Sequence, residues 1–372
     1  MRVGCPKEIK NHEYRVGLTP GSVREYVAHG HEVIVETKAG AGIGANDDAY
    51  RGAGARIVTT AKEVFDKSDM VVKVKEPQPG EWAQLHEGQI LYTYLHLAPD
   101  PDQAEGLLKS GVTAVAYETV TDDRGGLPLL APMSEVAGRL SIQAGATALQ
   151  KVNGGRGILL GGVPGVVPAK VAIIGGGVVG LHAAEMAVGL GADVTILDRS
   201  IPRLRQLDDF FKGRVHTRFS TIDAIEDEVF AADLVIGAVL IPGAAAPKLV
   251  TREMLSGMKR GSVIVDVAID QGGCFETSHA TTHSDPTYEV DGVIHYCVAN
   301  MPGAVPITSA HALNNATLHY GLQLADKGLK AIAEDRHLRA GLNVHRGRIT
   351  NKAVAEALGY EMSAPETVLN VA

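Results

Sequence analysis

The chain has 372 residues, with 43 acidic against 35 basic side chains and a formal net charge of −8. Charges of both signs are scattered along it, which excludes the basic footprint of a nucleic-acid binder, and a hydrophobic content of 45% excludes a disordered chain. With 43 Gly, 17 Pro and only 5% aromatics, the composition is that of aliphatic strands joined by small-residue turns, in an α/β chain long enough for two domains.

Short apolar runs at residues 32–36, 70–75, 89–97 and 112–118 read as strands, and helical segments at 21–29, 59–67 and 101–110 alternate with them. Such alternation implies βαβ units and a mainly parallel sheet. The polar turn Asp122-Asp123-Arg124-Gly125-Gly126 closes this block. A long helix is predicted over 134–151, with Ser134 able to cap it. A second series follows, with strands at 171–174, 193–197, 215–219, 234–240, 263–269 and 294–298 and helices at 178–190, 201–212, 222–230 and 252–258. That is the pattern of a doubly wound sheet. After Ala299 come one long helix, 309–335, a shorter one, 351–358, and a loose tail, 363–372. The expected organisation is a Rossmann-type NAD-binding domain, 128–306, inserted into a second α/β domain with a mainly parallel sheet, 1–127 and 307–372. The crossings near 126–134 and 300–309 are expected to act as hinges.

The apolar runs 158–169 and 234–247 are too short and too broken by Gly and Pro to span a membrane. The first residues become charged at once, without the apolar core of a signal peptide, so a cytoplasmic protein is expected. Cys5, Cys274 and Cys297 are odd in number and far apart, which argues against a disulfide framework or a cysteine zinc site. His279 and His283 stand four apart, but their Thr- and Ser-rich surroundings read as loop, and no metal is expected.

The segment from Lys170 to Asp198 contains Gly175-x-Gly177-x-x-Gly180 between an aliphatic strand and a helix. The first glycine permits a tight turn, the second lets a pyrophosphate approach the backbone, and the third lets helix and strand pack closely. The helix N-terminus, at Val178 and Val179, then offers N–H groups and a positive dipole end to phosphate. Asp198 closes the next strand, where a carboxylate accepts from both ribose hydroxyls and repels a 2′-phosphate, favouring NAD over NADP.

Ligands of such sheets sit at the carboxyl ends of strands, so the later strand ends are informative. They are Val239-Leu240, Val267-Ala268-Ile269-Asp270 and Asn300-Met301-Pro302-Gly303. Asp270 caps the following Gln271-Gly272-Gly273 turn or handles protons beside the nicotinamide. In the first domain, Arg15, Lys75 and His96 are polar groups at unusual places; by pattern alone each reads more often as an ordinary solvated or core residue, and spacing does not bring them together.

Several segments in order carry a resemblance. They are Pro6-Lys7-Glu8-Ile9-Lys10, Glu13 to Pro20, Lys73-Val74-Lys75-Glu76-Pro77, Tyr94-Leu95-His96, the glycine loop with Asp198, Asp266 to Gly273, and Asn300 to Pro306. Together they resemble the alanine dehydrogenase and transhydrogenase NAD-binding family over about residues 1–360. The resemblance implies reversible NAD-dependent oxidative deamination of L-alanine to pyruvate and ammonium. It implies that Arg15 and Lys75 bind substrate and that His96 and Asp270 are catalytic. It implies NAD contacts at Ser134, Gly175, Gly177, Val178, Val179, Gly180, Asp198, Arg203, Ser220, Val239, Leu240, Val267 to Asp270, and Ala299, Asn300, Met301 and Pro302. It also implies a homohexamer. Arg203 replaces the Lys familiar in the family and keeps its charge; His279 replaces an Arg often found there. A metal pair of some relatives falls on Gln323 and Lys327 here, so no metal is expected at that place either. The alternatives are a lysine- or saccharopine-type dehydrogenase and the NAD-binding component of a transhydrogenase. Arg15, Lys75, His96 and Asp270 weigh against the latter.

Overall fold

The computed structural model describes residues 1–239 and 246–370. Its contacts divide the chain into two compact units, Met1–Met133 with Val305–Ala372, and Ser134–Ala304. The first unit opens with strands β1 (Arg2–Cys5), β2 (Glu32–Glu36), β3 (Arg56–Val58), β4 (Met70–Val72), β5 (Ile90–Thr93) and β6 (Thr113–Ala116). The second contributes β7 (Lys170–Ile174), β8 (Asp193–Asp198), β9 (His216–Phe219), β10 (Leu234–Gly237), β11 (Val263–Asp266), β12 (Thr287–Val290) and β13 (Val293–Tyr296). The chain then returns to the first sheet with β14 (Leu342–His345) and β15 (Arg348–Ile349).

The first sheet has the order β15-β14-β6-β5-β4-β1-β2-β3. Its six N-terminal strands run parallel, and only β14 and β15 are antiparallel to their neighbours. β4, β5 and β6 are buried at every position, as strands covered on both faces must be. Val71, Leu91 and Ala114 of these strands share one core with Leu95, Leu107 and Val354.

The second sheet has the order β12-β13-β11-β10-β7-β8-β9. From β7 the chain winds outward through β8 and β9, then crosses back to β10 and winds the other way through β11 and β13. This is the doubly wound order, with its switch point between β7 and β10. β12 adds an antiparallel edge through the Asp291-Gly292 turn. Ala172, Ile174, Val235, Ile264 and Phe275 lie in its core. Among the described residues, no helix is long and apolar enough to cross a membrane.

Several element predictions need correction. The run 70–75 leaves its strand after Val72, 89–97 after Thr93, and 263–269 after Asp266. Apolarity did not mark these ends because Val74, Leu95 and Leu97 stay buried after the ladder stops. The long helix runs Ala131–Ala148, so Ser134 lies inside its first turn and is not the N-cap. The segment 252–258 is a 3₁₀ turn, Glu253–Gly257. The helix 309–335 is two helices, Pro306–Lys327 and Leu329–Glu334, broken at Gly328, whose φ of 58° and ψ of −136° do not continue a helix. The structure adds five short strands that the sequence reading does not contain, β1, β3, β12, β14 and β15.

Candidate active site

In the first unit, β6, β5, β4 and β1 lie side by side and parallel, so their carboxyl ends form one continuous edge. From it the chain delivers Glu118 after β6, Tyr94 and His96 after β5, Lys73 and Lys75 after β4, and Glu8, Glu13 and Arg15 after β1. Sheet order thus brings Arg15, Lys75 and His96 to one edge. Glu8 ties two of these exits together. One of its carboxylate oxygens accepts from the Val74 N–H (2.7 Å), and the other meets the Lys73 ammonium (3.1 Å).

Arg15 is 2% exposed, and its guanidinium is gripped along one edge by Glu13, Nε to Oε1 at 2.7 Å and Nη2 to Oε2 at 2.5 Å. Burial works against its charge, but the Glu13 carboxylate outweighs it and raises the pKa above the ordinary value. Nη1 points to Met133 Sδ at 3.0 Å. A two-point grip of this kind fixes the plane of the guanidinium.

Lys75 is mostly buried, with Nζ 3.8 Å from Glu76 Oε2. Burial raises the Glu76 carboxyl, but Lys75 and Lys10 more than offset it and hold it below the usual range. Two residues earlier, Lys73 is 0% exposed and pairs with Glu8 and with Glu81 (2.8 Å). Burial again opposes its charge; the two carboxylates prevail and raise its pKa. Lys73 therefore pins the segment that carries Lys75.

His96 is not in a strand. It has φ +47°, a left-handed conformation uncommon for residues other than glycine. The Glu118 carboxylate holds it there, accepting from the His96 N–H (2.6 Å) and the Leu95 N–H (3.2 Å). The imidazole stacks on Tyr94, with centroids 5.6 Å apart and planes 9° apart, and its side chain is 40% exposed. Tyr94 in turn donates its hydroxyl to Leu129 O (2.6 Å). Burial pushes the Tyr94 phenol well up, and the positive charge of Arg15 pulls the other way, which places Tyr94 in the field of Arg15 as well as against His96.

The second unit presents its own carboxyl edge. Gly175 has φ +106°, and a Cβ there would lie 2.6 Å from Ala238 O at the switch point. Gly177 is the N-cap of the helix Val178–Gly189, and a Cβ on it would meet nothing within 4 Å. The loop therefore faces open space beside the N-terminal N–H groups of the helix, as a pyrophosphate requires. A Cβ on Gly180 would come 1.9 Å from Gly175 O. Asp198 ends β8 and is pinned by N–H groups of Gly176 and Ser200, each at 2.7 Å. Two of its roughly four acceptor sites are thus used, leaving others toward ribose hydroxyls. Arg203 donates to Gly176 O (2.6 Å), against the same loop. Ser220, after β9, donates its N–H to Asp198 O. These residues fit a dinucleotide.

Val239 follows β10, and Leu240 lies outside the described residues. Val267, Ala268 and Ile269 lead from β11 into a 3₁₀ turn, Ile269–Gln271, on which Asp270 is exposed. The N–H groups of Gln271, Gly272 and Gly273 go to the carbonyls of Ala268 and Ile269, so the turn does not need Asp270 as its cap. Ala299 donates to Thr281 O, Asn300 O receives His283 Nε2 (2.8 Å), and Met301 and Pro302 open the 3₁₀ turn Met301–Ala304. His279 stacks on Tyr288 at 3.7 Å, so His279 and His283 are engaged with different partners. Ser134 lies half-buried on the helix Ala131–Ala148.

Comparison with known proteins identifies this assembly. The pattern for the N-terminal domain of alanine dehydrogenase/PNT matches residues 4–137, and that for the C-terminal domain matches residues 141–352. The chain belongs to the alanine dehydrogenase/PNT family. It is 62% identical over 362 residues to an alanine dehydrogenase of Halomonas elongata, covering 97% of this chain and 98% of that one. It is 59% identical over 371 residues to an alanine dehydrogenase of Bacillus subtilis, covering 99% and 98%. A solved L-alanine dehydrogenase is 55% identical, with a TM-score of 0.93 over 96% of this chain and 99% of that one. A transhydrogenase from Sinorhizobium meliloti is similar at 26% identity, with a TM-score of 0.82 over 94% and 100%. In this member of the alanine dehydrogenase/PNT family, three residues of the site escaped sequence reading. Glu13 reads as part of a motif, and Tyr94 and Glu118 as parts of the strand runs 89–97 and 112–118. The available signal was an acid or phenol within two to three residues of a strand end or of Arg15.

Proposed function

We propose that the chain is an NAD-dependent alanine dehydrogenase, converting L-alanine, NAD⁺ and water to pyruvate, ammonium, NADH and a proton. What carries the reading is identity of 57–62% to alanine dehydrogenases along nearly the whole chain. The transhydrogenase relative, at 26% identity, does not favour the alternative. Bound at the glycine loop, Asp198, Arg203 and the strand ends at Ser220, Val239, Val267 to Asp270 and Ala299 to Pro302, NAD would supply the hydride acceptor. Ser134 and Leu240 belong to the same proposed set.

Arg15 and Lys75 bind the substrate carboxylate and polarise its oxygens, the guanidinium held in plane by Glu13. The ammonium of alanine must lose a proton before its α-hydrogen can leave as hydride. Imidazole is the side chain whose ordinary pKa suits that transfer near neutrality, and His96 takes the proton. Water then adds to the iminium carbon. His96 passes the amine proton to solvent, then takes one from that water and gives it to the nitrogen; as the C–N bond breaks, the carbinolamine hydroxyl proton passes through His96 to the departing ammonia, which leaves as ammonium. Asp270, an exposed residue of the turn, stabilises the cationic iminium and orients the water. From the family we also carry over a homohexamer in the cytoplasm, which light scattering on the purified protein and cell fractionation would check.

The reading is tested by following NADH formation at alkaline pH with purified protein and, separately, L-alanine, L-serine, L-lysine and saccharopine. Fast turnover with L-alanine is expected. NAD binding without alanine turnover would overturn the reading, and preference for lysine or saccharopine would replace it.

A further inference from the structure

The turn that carries Asp270 is held from two sides by groups of opposite charge. On one side is the carboxylate of Asp266, 0% exposed at the end of β11. It accepts from the N–H groups of Ala268 (3.2 Å), Cys274 (2.9 Å) and Phe275 (3.4 Å) and from the Ser278 hydroxyl (2.6 Å). On the other side is the ammonium of Lys248. It donates to the carbonyl of Gly272 and to those of Gly273 (3.0 Å) and Phe275 (3.2 Å). An ammonium has three hydrogens and no acceptor, so three carbonyls use it fully. The anion gathers the N–H groups of the segment 268–275 and the cation gathers its C=O groups. Two backbone bonds lay the lysine's own segment along the turn, Ala246 N–H to Gln271 O (3.0 Å) and Leu249 N–H to Cys274 O (2.8 Å).

We infer that Lys248 is a positioning residue: its ammonium, working against Asp266, fixes the turn so that the Asp270 carboxylate is presented in one geometry. This rests on the reading of Asp270 as a catalytic group. Charge-assisted bonds are about twice as strong as neutral ones, and here they converge on a turn containing two successive left-handed glycines, Gly272 and Gly273. Lys248 itself is exposed, whereas its neighbours Ala246 and Val250 supply the core contacts of this segment. Removing the ammonium therefore loosens the turn and spares the sheet. Looser placement of a group that acts on the substrate lowers kcat more than it lowers binding.

The test is steady-state alanine oxidation by the full-length enzyme and its Lys248→Met and Lys248→Arg variants, with NADH affinity by fluorescence and thermal midpoints measured beside it. Lys248→Met should lower kcat about 10- to 100-fold while the KM for alanine and the Kd for NADH move less than about threefold. Its midpoint should stay within about 2 °C, and Lys248→Arg, which keeps the charge and donors, should recover most of kcat. An unchanged kcat in Lys248→Met overturns the inference. So does a loss matched by an equal loss of NADH affinity or by a collapse of the midpoint. Asp270→Asn, assayed in parallel, separates this from the underlying reading. If it is fully active, the catalytic role of Asp270 has failed and the inference falls with it; if it is inactive while Lys248→Met is normal, only the positioning role has failed.

Discussion

Two glycines of one loop, three residues apart, should respond to the same added methyl in opposite ways. A Cβ on Gly180 would sit 1.9 Å from Gly175 O and 3.3 Å from Ile173 Cγ2, and the oxygen belongs to backbone that a rotamer change does not move. Helix propensity alone would reward alanine inside Val178–Gly189 by about 0.5–1 kcal/mol. Overpacking a tight site costs about 1–3 kcal/mol or more, so a net loss of roughly 1–2 kcal/mol is expected for Gly180→Ala, with the glycine loop displaced. Gly177 is different. It has φ −67°, which alanine adopts freely, and its Cβ would enter open space. Gly177→Ala should change the stability of the free protein by no more than about 1 kcal/mol, the difference between Gly and Ala as an N-cap. It should nevertheless fill the space a pyrophosphate needs. Losing one charge-assisted hydrogen bond there costs about 1.5–3 kcal/mol, a roughly 10- to 150-fold rise in the Kd for NADH. Fluorescence titration with NADH and thermal melts of the free protein read the two effects separately. Wild-type NADH affinity in Gly177→Ala would refute the assignment of this loop to the pyrophosphate. Wild-type stability and affinity in Gly180→Ala would refute the packing argument.

Other substitutions probe the remaining roles. His96→Ala should reduce kcat at least about 10²-fold with NADH affinity nearly intact, measured by kinetics and fluorescence; strong loss of NADH binding would make His96 cofactor-facing instead. Asp198→Gly should weaken NAD and shift preference toward NADP, and an unchanged kcat/KM ratio for the two cofactors would undo the ribose assignment. Glu8 titrates in a buried cluster with Lys73, Glu81 and Glu13. Burial pushes its carboxyl up to about 7 while Lys73 pulls it down. Because this folded pKa lies above the ordinary 4.5, the folded state binds the proton more tightly than the unfolded state does, and stability falls as pH rises from 4.5 through about 7. Glu8→Gln should flatten that slope in thermal midpoints taken from about pH 5 to 8, and a slope equal to that of the parent would show that Glu8 does not titrate there.

What could be read from the chain was what a single βαβ unit contains. Gly175, Gly177, Gly180 and Asp198 lie within one strand, helix and strand, so their order alone dictates that the glycines meet the helix N-terminus and that Asp198 stands at the next strand end. The alternation of elements likewise determined two α/β units with mainly parallel sheets. The limits of the elements were less legible. Ser134 looked like a cap because Ser precedes a helical pattern, yet the helix starts at Ala131. The strands before Lys75 and His96 looked longer than they are because the chain stays buried after leaving the sheet.

Tertiary structure decided which distant residues became partners. Arg15, Lys75 and His96 belong to three separate strand exits, and only the order β6-β5-β4-β1 makes those exits neighbours. Glu118 holds the His96 backbone from 22 residues away, and Lys248 reaches carbonyls 24 to 27 residues along the chain. Hydrophobic period records which face of an element is buried, but it carries no information about which element lies beside which. Sequence therefore determined the dinucleotide loop, whose contacts are local. The setting of His96 and of the turn that carries Asp270 required the folded chain, because the Glu118 carboxylate and the Lys248 ammonium reach them from more than twenty residues away.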